Sequence, residues 1–347
     1  MVKFSANIAN SPRRATPSPD FYATFSEVEI LEIIDALKVR QEIPLKFSYK
    51  GRGAKIWDDF YRKYIIPTWY RTSNVEIELL QDNFQYLNDA CKIADKVNII
   101  DVGAGNSYPV KRFIHRLDKL RKVNQYVALD ISAGLLDVSQ KNFHKWFPRI
   151  NYLNGIIDIE NSCIPQNLLG YQSDDQTENN QITNIILHLG VTIGNHHHRA
   201  RVFSNFKNSM QANDILVLTN ELGSNSQWNG QARGGCDYHA GHIYRWIKDA
   251  IGISSSDCQL VRKYDSGRDS VVANIQFLYD YSIDFRIQGI DKSINFAAGD
   301  DITIWRHHKF EIPKLRQELE QAGLELVRYS TNKYSSHIMA ICRLITQ

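Results

Sequence analysis

The stretch VNIIDVGAGNSYPVKRFIHRLDKLRKVNQYVALD, residues 97–130, decides the fold. It opens with a short apolar run ending in Asp101 and turns at Gly103 and Gly105. Val110, Phe113, Ile114, Leu117 and Leu120 then share one helical face, with Pro109 where a first-turn proline is tolerated, and a second apolar run ends in Asp130. Strand, glycine turn, helix and strand make a βαβ unit whose carboxyl edge opens a crevice for a ligand. Asp130 stands 25 residues after Gly105, where a carboxylate can accept hydrogen bonds from two ribose hydroxyls. A dinucleotide site wants GxGxxG, but this turn reads Gly103, Ala104, Gly105, Asn106, Ser107, Tyr108 and lacks the third glycine. That glycine serves close packing around a pyrophosphate, so its loss favours S-adenosylmethionine, which carries no phosphate.

Downstream, INYLNGIID (150–158), NIILHLG (184–190) and DILVLTN (214–220) continue the alternation and predict a buried parallel sheet with crossover helices. Asp158, ending the third strand, is placed to hydrogen-bond the adenine amino group. A helix stripe of Ile312, Leu315, Leu319 and Ala322, stopped by Gly323, precedes two strand-like runs at 324–330 and 336–345. The expected fold is α/β, a class I Rossmann-like methyltransferase sheet closed by a terminal antiparallel hairpin, with a second α+β domain. Ser26 and Glu29 ahead of Ile30, Ile33, Ile34 and Leu37 read as a capping box opening a helix of that second domain. Apolar alternation from Val271 to Ile287 suggests antiparallel strands there, and the polar run 171–181 reads as a surface loop. The expected division is a flexible arm 1–20, a discontinuous substrate domain 21–72 and 222–306, and a cofactor domain 73–221 and 307–347.

Composition narrows the function. With 41 basic against 38 acidic residues the chain carries net charge +3, too little for the extended basic surface of a nucleic-acid binder. No run approaches the roughly 18 apolar residues of a membrane span, and the N-terminus lacks a signal-peptide core, so a soluble, cytoplasmic protein is expected. Five scattered cysteines without a CxxC pair argue against a disulfide framework and a zinc site. His196, His197 and His198 are consecutive, so their side chains diverge and suit a solvated or capping role better than a metal. A small polar substrate is the expected partner, with oligomeric state open.

GVTIGN (190–195) resembles the GSTIGN motif of the histidine-specific methyltransferases, which trimethylate histidine in ergothioneine biosynthesis. FSYKGRGAKIWDDF (47–60), PTWYRTSNVEIELL (67–80) and GDDITIWRHHKF (299–310) are similar to three further segments of that family, in order, so the resemblance covers most of the chain. It implies cofactor contacts at Tyr49, Gly103, Asp130 and Asp158, beside Asp101, Gly105 and Lys111 of the glycine-turn unit as further cofactor candidates. It also implies that Asn195 and Tyr238 are the catalytic pair, fixing the amino and carboxylate groups of an amino acid near the reacting methyl, with Trp69, Tyr70, Trp305 and His307 completing the substrate pocket. Where the family surrounds the imidazole with a tyrosine, a glutamate and a serine, this chain has Trp69, Trp305 and His307. The expected reaction is therefore α-N-methylation of a non-histidine, possibly aromatic, amino acid by S-adenosylmethionine, giving S-adenosylhomocysteine, without metal or covalent intermediate. Related dimethylallyltryptophan N-methyltransferases accept a large aromatic amino acid, and a tryptophan stacked on such a ring gains about 0.5–1.5 kcal/mol beyond burial. Methylation of another small molecule at oxygen, carbon or a different nitrogen stays open, as does a non-catalytic cofactor binder.

Overall fold

The computed structural model describes residues 11–67, 74–91, 94, 96–170, 182–228 and 245–345. The chain forms two compact units, one from Met1–Ser48, Gly235–Lys263 and Val272–Trp305, the other from Tyr49–Gly234, Tyr264–Val271 and Arg306–Gln347.

The larger unit holds a seven-stranded sheet, numbered here within itself: β1 (Lys96–Val102), β2 (Val123–Asp130), β3 (Asn151–Ile156), β4 (Ile182–His188), β5 (Ile215–Glu221), β6 (Leu324–Thr331) and β7 (His337–Leu344). Their spatial order is β6-β7-β5-β4-β1-β2-β3. β1 to β5 are parallel, and β7 runs antiparallel to both β5 and β6. The order reverses beside β1, so the carboxyl ends of β1 and β4 flank the crevice in which open α/β sheets take ligands.

The near-continuous apolar strands are explained by cores on both faces. Ile99, Tyr126, Ala128, Ile185, Leu187 and Val217 join one, which helices Lys111–Lys119 and Ala133–Trp146 cover through Phe113, Leu117, Leu136 and Phe143. The alternate residues Ile100, Val127, Leu129, Ile186, Leu216 and Leu218 join the other, with Phe203 and Phe206 of helix Arg199–Ser209 and Leu315 and Leu319 of helix Ile312–Gln321. At about 1.5–3 kcal/mol per buried branched or aromatic side chain, this two-sided burial holds the sheet together.

In the smaller unit Ser26 and Glu29 make the expected reciprocal capping box on helix Glu27–Arg40, whose Ile30, Ile33, Ile34 and Leu37 are buried. Phe21, Phe25, Phe47, Phe285 and Trp246 form a ring cluster with centroids 5.6–6.0 Å apart in its contacting pairs Phe25–Phe47, Phe21–Phe285 and Phe25–Trp246. The apolar stretch 271–287 splits between two sheets. Strand Tyr281–Ile287 pairs antiparallel with Ile290–Phe296, whereas Ser270–Phe277 lies between Cys258–Asp265 and Asp301–His307.

Three expectations change. Within the arm 1–20, Arg13–Ala15 is a strand parallel to Tyr281–Ile283, and Pro19–Thr24 is a helix capped by Ser18, because backbone pairing and an Arg13–Asp257 ion pair fix this segment. Helix Arg52–Phe60 belongs to the sheet unit rather than grouping with residues 21–48. Pro109 precedes the helix that starts at Lys111 instead of occupying its first turn. The loop 171–181 lies outside the described residues.

Candidate functional site

Gly103 and Gly105 both have positive φ, +78° and +54°, which turns the chain away from β1 without a Cβ penalty. The N–H groups of Gly103 and Ala104 donate to the Leu129 carbonyl at 2.8 and 3.1 Å, tying the turn to β2. Asp130 locks it further: one carboxylate oxygen accepts from the Gly105 N–H at 3.0 Å and the other from the Ser132 N–H at 2.9 Å. Each oxygen has two lone pairs, so both keep capacity for a ribose hydroxyl. A Cβ on Gly105 would stand 2.7 Å from the indole of Trp57, so glycine is required there by close approach as well as by φ. The turn's own residues thus fit a ribose-bearing cofactor: open backbone at two glycines and a carboxylate with unused acceptor capacity.

Beneath the turn lies a buried hydroxyl chain. Tyr126 donates to Asp101 at 2.8 Å, Ser107 Oγ is 2.7 Å from the Tyr126 hydroxyl and 2.6 Å from Ser139 Oγ, and Ser139 Oγ is 3.0 Å from the Tyr152 hydroxyl. Burial pushes the Asp101 carboxyl up to about 7, with neighbouring Asp130 adding to the rise and the Tyr126 hydrogen bond opposing it. Burial likewise raises Asp130 to about 6 against the backbone N–H groups it accepts from. Folded Asp101 therefore keeps its proton between about pH 4 and pH 7, where the unfolded chain has lost it, so it makes stability fall as pH rises across that window. Asp101→Asn removes this penalty and keeps an acceptor for Tyr126. We expect the cofactor-free variant to match the wild type near pH 4 and exceed it at pH 8, by at most about 4 kcal/mol, in urea unfolding. An equal difference at both pH values would show that ionisation is not the cause.

The remaining cofactor candidates lie on separate elements. Lys111, at the start of its helix, has its ammonium 4.6 Å from the Trp146 ring centroid. Tyr49 closes a short 3₁₀ helix and is half-buried. Asp158 lies two residues beyond β3 rather than ending it, and its carboxylate accepts from the Glu160 N–H at 3.2 Å and from Asn161 Nδ2 at 2.8 Å. Trp69, Tyr70 and Tyr238 lie outside the described residues.

Asn195 ends the single turn Thr192–Asn195, His196 is extended, and the next helix starts at Arg199. The break has a long-range cause: Glu160 accepts from the backbone N–H groups of His197 and His198 at 3.2 and 3.0 Å and lies 3.2 Å from His196 Nδ1. Burial alone would raise Glu160, but His196 and these N–H groups more than offset it and hold it down to about 2.

Segment 306–310 runs along the Asn195 turn and the end of β5. The His308 N–H donates to the Gly194 carbonyl at 2.8 Å and the Phe310 N–H to the Glu221 carbonyl at 3.0 Å. This brings His307 to Asn195, with Nδ1 3.3 Å from Oδ1. His307 Nε2 lies 3.6 Å from Glu221 Oε2, within ion-pair reach, and Lys309 Nζ lies 3.3 Å from the same oxygen. Burial alone would raise the Glu221 carboxyl, but His307, Lys309 and His337 together hold it well below the usual carboxylate range. Trp305 is buried, 6% exposed, on the same strand.

Sequence reasoning missed four neighbours of these residues. Asn106 donates to Asp58 at 2.9 Å, anchoring helix Arg52–Phe60 on the glycine turn. His188, held down to about 3 by burial and by His196, is neutral; its Nδ1–H donates to the Val102 carbonyl at 2.8 Å at the mouth of β1. Glu160 and Glu221 are the others. Asp58 and Glu221 sit inside or beside quoted motifs, but only their buried partners distinguish them from ordinary surface carboxylates. A separate open cleft of about 510 Å³, lined by His197, Arg199, Arg268, Asp269 and Glu318 among others, includes none of the glycine-turn residues.

Comparison with known proteins follows the same direction as this geometry. Residues 26–232, more than half of the chain, match the family described as "Histidine-specific methyltransferase, SAM-dependent". The histidine N-alpha-methyltransferase of Mycobacterium tuberculosis (strain CDC 1551 / Oshkosh) is 21% identical over 85% of this chain and 88% of its own length. That of Mycolicibacterium smegmatis (strain ATCC 700084 / mc(2)155) is 21% identical over 84% and 87%. Among solved structures, an S-adenosylmethionine-dependent methyltransferase from Clostridium acetobutylicum ATCC 824 aligns with TM-score 0.45 at 10% identity, over 84% of this chain and 98% of that one. No described helix is long and apolar enough to cross a membrane. Strand order, glycine turn and family match converge: the chain belongs to the histidine-specific, S-adenosylmethionine-dependent methyltransferase family.

Proposed function

We propose that this enzyme methylates the α-amino nitrogen of an amino acid other than histidine, with an aromatic side chain favoured. The observation that carries the reading is the Asn195–His307 contact at 3.3 Å. The turn that resembles the family's amino-acid-holding motif is present, but at the position where the resemblance expects a serine beside the substrate imidazole stands a histidine already engaged with Asn195 and close to Glu221. By the resemblance Trp305 stands where the family has a glutamate, and an indole ring cannot accept a hydrogen bond from an imidazole as a carboxylate does.

Bound S-adenosylmethionine would supply an electrophilic methyl on a sulfonium, whose C–S bond would break as the uncharged amine nitrogen attacks, releasing S-adenosylhomocysteine and, from the nitrogen, one proton to solvent. The chain's task is then orientation rather than proton chemistry. Asn195, by holding the amino and carboxylate groups, fixes the nitrogen lone pair along the required line; such alignment supplies on the order of 7–11 kcal/mol of the barrier. Asp130 holds the ribose, and Asp158 and Tyr49 complete the cofactor's surroundings.

Asn195→Ala tests the assignment. We expect kcat/KM for the amino acid to fall about 100-fold, the cost of one hydrogen bond to the charged carboxylate and one to the neutral amine, while S-adenosylmethionine affinity measured by calorimetry stays within about threefold. Equal loss of cofactor affinity would place Asn195 in the cofactor site instead.

A further inference from the structure

We propose that Glu221 and His307 form a relay that positions the Asn195 amide, with His307 the positioning residue and Glu221 its charge balance. The inference rests on the reading of Asn195 as the amino-acid holder. A carboxamide on a one-turn helix has two nearly isosteric orientations, and only one presents its N–H groups toward a substrate carboxylate. In this structure Asn195 Oδ1 faces His307 Nδ1 at 3.3 Å. An amide oxygen only accepts, so the ring donates there, and Nδ2 is left to the substrate side. The other ring nitrogen lies 3.6 Å from a Glu221 carboxylate oxygen, within ion-pair reach.

His307 is 2% exposed and Glu221 9%, so neither partner is diluted by water. Among the described residues the basic groups facing Glu221 are His307, Lys309 at 3.3 Å and His337 at 3.9 Å. Three potential cations around one carboxylate keep it charged, and that charge holds the ring in the orientation that serves Asn195. The backbone bond from the His308 N–H to the Gly194 carbonyl at 2.8 Å fixes the two segments so that the contact persists without substrate. The relay is a feature of this chain's own residues: a serine at 307 could not span from Asn195 to Glu221.

The test uses the full-length protein saturated with S-adenosylhomocysteine and reads the ¹⁵N order parameter of the Asn195 side-chain amide. We expect a rigid value, about 0.8, in the wild type and a mobile one, below about 0.6, in His307→Leu. His307→Asn, whose amide N–H takes the place of Nδ1, should restore rigidity; His307→Gln, whose amide takes the place of Nε2, should not. Glu221→Gln should give an intermediate value. In parallel, S-adenosylhomocysteine release is followed with an equimolar mixture of the twenty standard L-amino acids as acceptor. His307→Leu should raise the apparent KM for the mixture about tenfold with cofactor affinity unchanged, and His307→Asn should recover most of it. An Asn195 amide equally rigid in wild type, His307→Leu and His307→Gln would overturn the relay. If the amide loosens as expected but Asn195→Ala turns over like the wild type, the relay stands as structure and the reading of Asn195 falls.

Discussion

Asp130→Ala is expected to lower S-adenosylmethionine affinity at least 100-fold while leaving the protein folded. The carboxylate does two things at once in the proposed site. It accepts from the Gly105 and Ser132 N–H groups at 3.0 and 2.9 Å, which shapes the turn, and its remaining lone pairs face the crevice for the ribose hydroxyls. Two charge-assisted hydrogen bonds at about 1.5–3 kcal/mol each give about 3–6 kcal/mol, and each 1.4 kcal/mol is tenfold in affinity. Stability should suffer less than affinity, because burial already penalises this ionised carboxyl, raising it to about 6. Asp130→Asn separates the two tasks: it keeps an acceptor for Gly105 but offers fewer lone pairs and no charge to the ribose, so its affinity should fall between those of wild type and alanine variant. Calorimetric titration decides this, and an alanine variant binding within about threefold of wild type would remove Asp130 from the cofactor site.

Gly194→Ala should sharply lower turnover through a single added methyl. The new Cβ would lie 2.4 Å from the His308 carbonyl oxygen, 2.9 Å from Asn220 Oδ1 and 3.1 Å from His307 Cε1. The first of these is backbone, and it cannot swing aside, because the adjacent His308 N–H is bound to the Gly194 carbonyl and the His308 carbonyl accepts from Asn220 Nδ2 at 2.8 Å. The two segments must separate, which moves Asn195 from His307. Overpacking of this kind costs about 1–3 kcal/mol of stability, and misplacing a holding group by an ångström costs about 100-fold in rate. We expect kcat/KM to fall at least about 100-fold, with cofactor affinity nearly unchanged because the glycine turn after β1 is not involved. Gly267→Ala is the control: its nearest contact, Asp265 Oδ1, is at 3.4 Å, and its substitution should leave both quantities as they are. A Gly194→Ala enzyme with normal turnover would mean that the Asn195 turn does not set the reaction geometry.

The parts of this molecule readable from sequence are those encoded by local spacing. The run from Val97 to Asp130 carries strand period, glycine turn and helix stripe within 34 residues, and the parallel sheet around it continues the same alternation. The capping box at Ser26 and the hairpin after Gly323 are equally local. What escaped the reading joins distant residues. Arg13–Ala15 is ordered by a strand more than 260 residues away, so its polar, proline-bearing sequence reads as a free arm. The helical turn stops at Asn195 because Glu160, 35 residues earlier, satisfies the N–H groups that a continuing helix would have used. Nothing near Glu221 marks it as the partner of His307, since that pairing depends on segment 306–310 lying along β5. The motif containing Asp58 was legible, yet its attachment to the glycine turn through Asn106 required the fold.

The most direct measurement is to incubate the purified enzyme with S-adenosylmethionine and an equimolar mixture of amino acids that includes histidine and tryptophan and tyrosine derivatives, then identify methylated products and the modified atom by mass spectrometry. The account predicts a one-methyl gain on the α-nitrogen of an amino acid other than histidine, with the aromatic members methylated fastest. Methylation of histidine in preference to the rest would contradict it, because His307 and Trp305 would then accommodate the imidazole they are argued to exclude.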